Sequence, residues 1–320
     1  MCGDFNKILV TGASGQIGSE LVPKLRELYG KDNVIASDLK ALEVGGGSFE
    51  YLDVTDAKRL EEIVVQYGVD SIIHLAALLS ASGEQRPNLA WHINVNGLYN
   101  VLEVARTCKI KRVFNPSSIA VFGPETPREN TPQETVLKPK TMYGITKVSG
   151  ELLGDYYFHK WGVDVRGIRF PGIISNVTPP GGGTTDYAVE IFYDAIKNKN
   201  YTCFLKPDST LPMMYMPDCL KAIILLIETD LSRLRHHTDF NLSALSFSPA
   251  EIAAEIKKQI PDFEIDYKPD YRQAIADSWP KNIDDSIARE EWGWKPDYDL
   301  PAMVEDMLKI LGRRRELKTL

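Results

Sequence analysis

The stretch Leu9-Val10-Thr11-Gly12-Ala13-Ser14-Gly15-Gln16-Ile17-Gly18 runs an apolar strand into three glycines spaced three apart and then into a helix. That order predicts a cradle for the diphosphate of a dinucleotide. Gly12 permits the tight turn, Gly15 lets backbone N–H groups approach the phosphates, and Gly18 lets the helix lie close to the sheet. A glycine-rich turn can also be plain packing, so its surroundings have to decide.

A second apolar run, Asn33-Val34-Ile35-Ala36-Ser37-Asp38, ends in an acid 20 residues beyond Gly18, where such a fold binds the adenosine ribose. A carboxylate there accepts from the 2′- and 3′-hydroxyls and repels a 2′-phosphate. The next residue is Leu39 rather than arginine, so NAD is expected over NADP. A strand-end aspartate in an ordinary turn is the competing reading.

Further along, apolar strands near 6–11, 33–38, 48–52, 69–76, 111–117 and 163–170 alternate with helical stretches near 16–29, 55–67, 89–108 and 141–160. The expected fold class is α/β, a doubly wound parallel (Rossmann) sheet. Ile8-Leu9-Val10 and Ser71-Ile72-Ile73-His74-Leu75 are apolar on both faces, as central strands under two helical layers must be. Past about residue 172 the alternation breaks down into a Pro/Gly segment, short strands and a helix opened by the capping box Ser248-Pro249-Ala250-Glu251. Residues 1–172 therefore read as the NAD-binding domain, with a returning strand near 238–243. Residues 173–237 and 244–320 read as a smaller substrate-binding lobe. Gly45-Gly46-Gly47 precedes a strand and reads as a turn.

The 320 residues are 43% apolar and 25% charged, enough for a large core. A net charge of -7 argues against nucleic acid as a partner, and Arg313-Arg314-Arg315 reads as a solvated helix end. Cys2, Cys108, Cys203 and Cys219 are dispersed, without metal-ligand spacing, and read as free thiols of a reducing compartment. No metal is expected. The first strand starts too close to Met1 for a leader, and no apolar run is of spanning length, so a cytoplasmic, membrane-free protein is expected.

Tyr143-Gly144-Ile145-Thr146-Lys147 puts a phenol and an ammonium one helical turn apart, a pairing that can lower the phenol's pKa and make it a base. The same spacing recurs at Tyr156/Lys160 and Tyr193/Lys197, so spacing alone selects none of them. Position favours Tyr143 and Lys147: they begin the helix that follows the strand ending in Pro116-Ser117-Ser118, at the carboxyl edge of the sheet where ligands sit.

Taken with Asp53-Val54, His74-Leu75-Ala76-Ala77, Asn94, Ser117-Ser118-Ile119-Ala120-Val121-Phe122-Gly123 and Trp292-Gly293-Trp294-Lys295-Pro296, these elements resemble the extended short-chain dehydrogenase/reductase family over nearly the whole chain. The resemblance implies that Gly12, Gly15, Gln16, Ile17, Gly18, Asp38, Leu39, Asp53, Val54, Leu75, Ala76, Ala77, Asn94, Tyr143 and Lys147 hold the cofactor. Asp53 and Val54 would hold its adenine. It also implies that Ser118, more than Ser117, bonds the reacting oxygen beside Tyr143. A homodimer through the 89–108 and 141–160 helices is implied as well.

Pro180-Gly181-Gly182-Gly183-Thr184-Thr185-Asp186 is a second glycine run opening a helix, hence a second potential anion site. No Lys or Arg occurs from Phe170 to Ile196, which suits one carboxylate held by N–H groups and the hydroxyls of Thr184 or Thr185 better than a nucleotide-sugar diphosphate. A Pro/Gly linker ending in a threonine cap is the alternative. Leu78-Leu79-Ser80, Arg169 to Ser175 and Gly181 to Tyr187 resemble the metal-independent members of the family that oxidise L-threonine at its β-carbon. That likeness implies substrate contacts from Ser80, Ser118, Tyr143, Gly183, Thr185 and Trp279, with Tyr143 as general base. A UDP-sugar 4-epimerase or dehydratase that retains its NAD is the alternative enzyme, with Arg272 or Lys281 supplying the missing cation. A non-catalytic dinucleotide-binding regulator is the third reading.

Overall fold

A computed structural model describes residues 5–41, 46–179, 181 and 183–316; Cys2, Gly45, Pro180 and Gly182 lie outside the described residues. The first half of the chain lays down β1 (Ile8–Thr11), α1 (Gly18–Tyr29), β2 (Val34–Asp38), β3 (Phe49–Tyr51), α2 (Ala57–Tyr67) and β4 (Ser71–His74). Next come α3 (Ser80–Gln85), α4 (Pro87–Trp91), α5 (Gly97–Thr107), β5 (Arg112–Phe114), β6 (Ser117–Ser118), α6 (Met142–Trp161), β7 (Val165–Arg166) and β8 (Ile168–Phe170). The main sheet has the order β3-β2-β1-β4-β5-β7, every neighbour parallel. Strand order reverses at β1, which opens the crevice at the carboxyl ends of β1 and β4.

Alternation along the strands explains the layers. Ile8 and Val10 pack on one face with Leu21, Leu25 and Ile223, while Leu9 packs on the other with Leu60, Ile63 and Val101. Both faces are dry, which is why these strands read as unbroken apolar runs.

The remainder contributes β9 (Gly172–Ile174), α7 (Tyr187–Lys197), β10 (Asn200–Cys203), β11 (Leu211–Tyr215), α8 (Met216–Glu228), β12 (Phe240–Asn241) and β13 (Leu245–Phe247). It ends with α9 (Pro249–Gln259), β14 (Glu264–Tyr267), α10 (Arg272–Asp277), α11 (Ser286–Trp292) and α12 (Leu300–Glu316). A separate core of Phe192, Leu211, Phe247, Ile256 and Met307 holds much of it together. β12 comes back to pair with β8, which in turn pairs with β6. The Ser248/Glu251 capping box is present, with Glu251 N donating to Ser248 Oγ and Ser248 N to Glu251 Oε2.

Three local expectations change. The strands near 111–117 and 163–170 are each interrupted, the second at Gly167, where a Cβ would stand 2.3 Å from Thr238 O and 2.7 Å from Asn115 O. The 89–108 helix is broken by a π-helical turn, His92–Asn96. The arginine run is more than a solvated end: Arg314 donates to the carbonyls of Asn176 and Val177, and Arg315 to that of Ile196. No helix among the described residues is long and apolar enough to cross a membrane.

Candidate active site

The three glycines do three different things. Gly12 has φ +70, and a Cβ on it would meet Ala76 N at 2.5 Å. A Cβ on Gly18 would sit 2.4 Å from Gly12 O, so its bareness lets α1 start against the turn. Gly15 is different: a Cβ on it would meet only Gly12 O, at 3.3 Å, and the residue lines a cavity. Protein packing barely constrains that position, whereas a ligand approaching the backbone would. No side chain caps the start of α1, which leaves its positive end for an anion. These features fit a dinucleotide diphosphate.

The cavity, of about 250 Å³, brings together Gly12, Gly15, Gln16, Ile17, Gly18, Leu75 and Ala77 with Ser118, Tyr143 and Lys147. Ser80, Gly183, Thr184, Thr185 and Trp279 complete its far end. Trp279 arrives after a separation of 132 residues from Lys147, carried by the turn that ends α10; Arg128 Nε donates to its carbonyl at 3.0 Å. Leu79, Ile119, Phe170, Pro171, Ile173 and Asp186 also form walls that the sequence reading did not assign. For Asp186 a signal existed: an acid three residues after a glycine and one before a helix is placed to cap that turn.

Six assigned residues are not on this wall. Asp38 sits at the end of β2 beside the glycine loop, accepting from Ser14 N at 2.9 Å and Leu39 N at 2.7 Å, and Leu39 is exposed. Asp53 Oδ1 is taken by the amide and hydroxyl of Thr55. Val54 is buried against Gly97, and Ala76 presents its backbone to Gly12. Asn94, in the π-helical turn, bonds both Leu78 N and Leu78 O and donates to Thr146 Oγ1 at 3.1 Å. Its amide is committed to holding the Leu78 loop against α6.

Two chemical expectations are corrected. Lys147 does not lower the Tyr143 pKa here: burial pushes the phenol up to about 12, against a hydrogen bond from Ser118 that favours the phenolate. Lys147 itself is driven down to about 8 by burial, and its Nζ donates to Pro116 O at 2.7 Å. In the second glycine run, Gly183 N already donates to Asp186 Oδ2 at 2.7 Å, so that N–H is not open to a carboxylate.

The lysine of each Tyr/Lys pair lies over its tyrosine ring at nearly the same reach: 5.5 Å for Tyr143/Lys147, and 5.9 Å for both Tyr156/Lys160 and Tyr193/Lys197. Only the first lines the cavity. The cations considered for a sugar nucleotide are engaged elsewhere. Arg272 stacks on Phe204 and pairs with Asp270, and Lys281 pairs with Glu129.

The sequence profile of the NAD dependent epimerase/dehydratase family matches residues 8–242. A Staphylococcus haemolyticus protein described as an uncharacterized epimerase/dehydratase is 52% identical over 98% of this chain and 100% of its own. Among solved structures, the L-threonine dehydrogenase of Clostridium difficile is 56% identical with a TM-score of 0.95, over 97% of this chain and 98% of that one. The L-threonine dehydrogenase of Phytophthora infestans is 56% identical with a TM-score of 0.94, over 96% and 99%. A monomeric L-threonine 3-dehydrogenase from a metagenome is 51% identical with a TM-score of 0.93, over 96% and 99%. A Thermotoga maritima UDP-glucose 4-epimerase, 23% identical at a TM-score of 0.85 over 97% and 99%, has the same fold.

Proposed function

The chain belongs to the NAD dependent epimerase/dehydratase family, and within it we propose an NAD-linked L-threonine 3-dehydrogenase that produces 2-amino-3-oxobutyrate. One observation carries the reading: a single cavity joins the glycine loop, the Ser118/Tyr143/Lys147 set and a second glycine loop, and among the described residues that line it Lys147 is the one lysine or arginine. More than half of the residues are shared with two solved L-threonine dehydrogenases, against 23% with the UDP-glucose 4-epimerase.

In this mechanism Tyr143 Oη takes the proton of the substrate's β-hydroxyl while Ser118 Oγ holds the same oxygen. Bound NAD supplies the acceptor for the β-hydride and, in its oxidised form, a positive charge that favours the Tyr143 phenolate. Lys147 keeps N–H donors beyond the one on Pro116 O for a ribose hydroxyl. Gly12, Gly15, Gln16, Ile17 and Gly18 would hold the diphosphate, and Asp38 the adenosine ribose. Ser80, Thr184, Thr185 and Trp279 would enclose the amino acid.

Residues 1–172 with the returning strand would carry the cofactor, and 173–237 with 244–320 the substrate side; the core around Phe192, Phe247 and Met307 supports a substrate side built on α7, α9 and α12, while α8 and the Trp292/Trp294 turn pack on the main sheet instead. The same reading has the enzyme in the cytoplasm, which the free thiols of Cys108, Cys203 and Cys219 support. It also pairs two chains through α4–α6, where Trp91, Tyr99, Ile145, Leu152 and Tyr156 are exposed. Light scattering on wild type and Leu152→Glu tests that: a dimer reduced to a monomer is expected, and a wild-type monomer would overturn it.

The function is tested by following NADH with L-threonine and UDP-galactose in parallel. Threonine-dependent NADH is expected, together with its loss by about a thousandfold in Tyr143→Phe at unchanged NAD affinity. Turnover of the sugar nucleotide alone would sink the reading.

A further inference from the structure

Tyr143, Lys147 and Glu151 follow one another at four-residue intervals on α6 and so share one face. Glu151 lies under the cavity, 5% exposed. Its Oε1 accepts from Ser117 Oγ at 2.5 Å and Arg169 Nε at 2.9 Å, and its Oε2 accepts from Arg169 Nη2 at 2.8 Å. Ser117 and Arg169 are themselves register partners where β6 meets β8. One carboxylate thus grips both strands where they pair. Pro116, whose carbonyl accepts from Lys147, precedes Ser117, and Ser118 follows it. The residue between the Lys147 anchor and the Ser118 hydroxyl is thus the one that Glu151 holds.

We propose that Glu151 is the positioning residue of the site: it fixes the Pro116-Ser117-Ser118 strand end against α6, and its negative charge one turn from Lys147 keeps that side chain an ammonium. The kinetic consequence rests on the dehydrogenase reading; the electrostatic one does not.

The charges around the pair define the sign. From α6 come Tyr143 and Glu151, and from the end of β4 comes His74, which burial holds neutral. From β8 comes Arg169, and beyond it Asp239, 3.3 Å from Arg169 Nη2, with Glu134 acting on Arg169 at longer range. Burial pushes the Glu151 carboxyl up, while the two-pronged bond from Arg169 and the hydrogen bond from Ser117 favour its charged form. Removing its charge would leave two buried cations, Lys147 and Arg169, with Asp239 as the nearest anion. For Lys147 the loss removes the attraction that opposes burial, which favours its neutral amine.

The experiment is a pH titration of ligand-free protein carrying lysine labelled with 13C at Cε, with the Lys147 signal assigned by its absence in Lys147→Met. In wild type the signal is expected to titrate near pH 8. Glu151→Gln, which keeps the shape and loses the charge, is expected to lower that midpoint by about one unit, and Glu151→Asp to restore it. The alkaline limb of threonine turnover should move with it. A merely structural Glu151 would lower the melting temperature and leave the midpoint in place, which overturns the proposal. If Glu151→Gln does not fold, Asp239→Asn strips the anion from the other side of Arg169; a smaller downward shift supports the proposal, and no shift overturns it. Failure of the dehydrogenase reading would show separately, as absence of threonine-dependent NADH in wild type with the titration shift intact.

Discussion

Ser19 Oγ, in the first turn of α1, lies 3.1 Å from Thr178 Oγ1, in the segment that leads to the second glycine run. Two neighbours reinforce the mooring: Ser175 Oγ donates to Glu20 Oε1 at 2.5 Å, and Gln16 Nε2 reaches Ile173 O at 3.5 Å. The turn that would hold the cofactor's diphosphate therefore also holds the approach to the substrate loop. Thr178→Val, which keeps the shape and loses the hydroxyl, is expected to raise the KM for threonine about fivefold, the worth of one hydrogen bond. The NAD dissociation constant, measured by fluorescence titration, should stay within twofold of wild type, about the scatter of such a titration.

The glycines separate fold from binding. Gly18→Ala puts a Cβ 2.4 Å from Gly12 O, both atoms fixed by backbone, and is expected to cost about 2 kcal/mol in chemical denaturation. Gly15→Ala meets nothing closer than 3.3 Å. It should melt like wild type yet bind NAD about tenfold more weakly, because the added methyl occupies the phosphate's approach. Equal melting losses in both variants would contradict this division.

Lys147 burdens the fold. Its pKa falls from 10.5 to about 8, so the folded protein binds fewer protons than the unfolded chain between those values. The penalty is complete below pH 8 and fades as the pH rises to 10.5. Lys147→Met should therefore be more stable than wild type at pH 7, by about 2 kcal/mol once the bond to Pro116 is discounted. Melting temperatures of the two proteins should converge on the alkaline side, and a pH-independent gap would refute the assignment.

His74 acts with the same sign in a more acidic window. Buried beside Thr11, whose Oγ1 is 2.8 Å from Nδ1, it is pushed from 6.5 to about 3 by burial first and the Lys147 charge second. A depressed folded-state pKa gives stability that is present above pH 6.5 and lost as the pH falls toward 3. Acid denaturation of His74→Gln should be shallower than that of wild type, by about 5 kcal/mol if followed to pH 3. Parallel curves would sink the idea.

What the sequence made legible was local. The glycine spacing, Asp38 at a strand end and the turn from Tyr143 to Lys147 each involve a few neighbouring residues, and backbone geometry places them without help from the rest of the chain. Sparser signals failed where partners are distant: Glu151 meets Ser117 across 34 residues, and Gln133 Oε1 accepts from Asn241 N across 108. Asn94, which matched a cofactor-site element, likewise meets partners far along the chain, Leu78 and Thr146, that its own segment does not announce. The expected effect of Lys147 on Tyr143 failed for a different reason. Spacing along a helix carries the charge of a neighbour but not the loss of water, and for Tyr143 desolvation is the larger effect.

The three Tyr/Lys pairs then acquire a use. Their rings and ammonium groups are separated almost equally, yet Tyr156 is half exposed, Tyr193 partly covered and Tyr143 lines the cavity. The chain thus carries its own reference standards: one geometry repeated in three solvents. The ultraviolet difference spectrum on adding a ligand, taken on wild type and on Tyr143→Phe, isolates the phenol in the cleft from the other tyrosines, with Tyr156→Phe and Tyr193→Phe as the references.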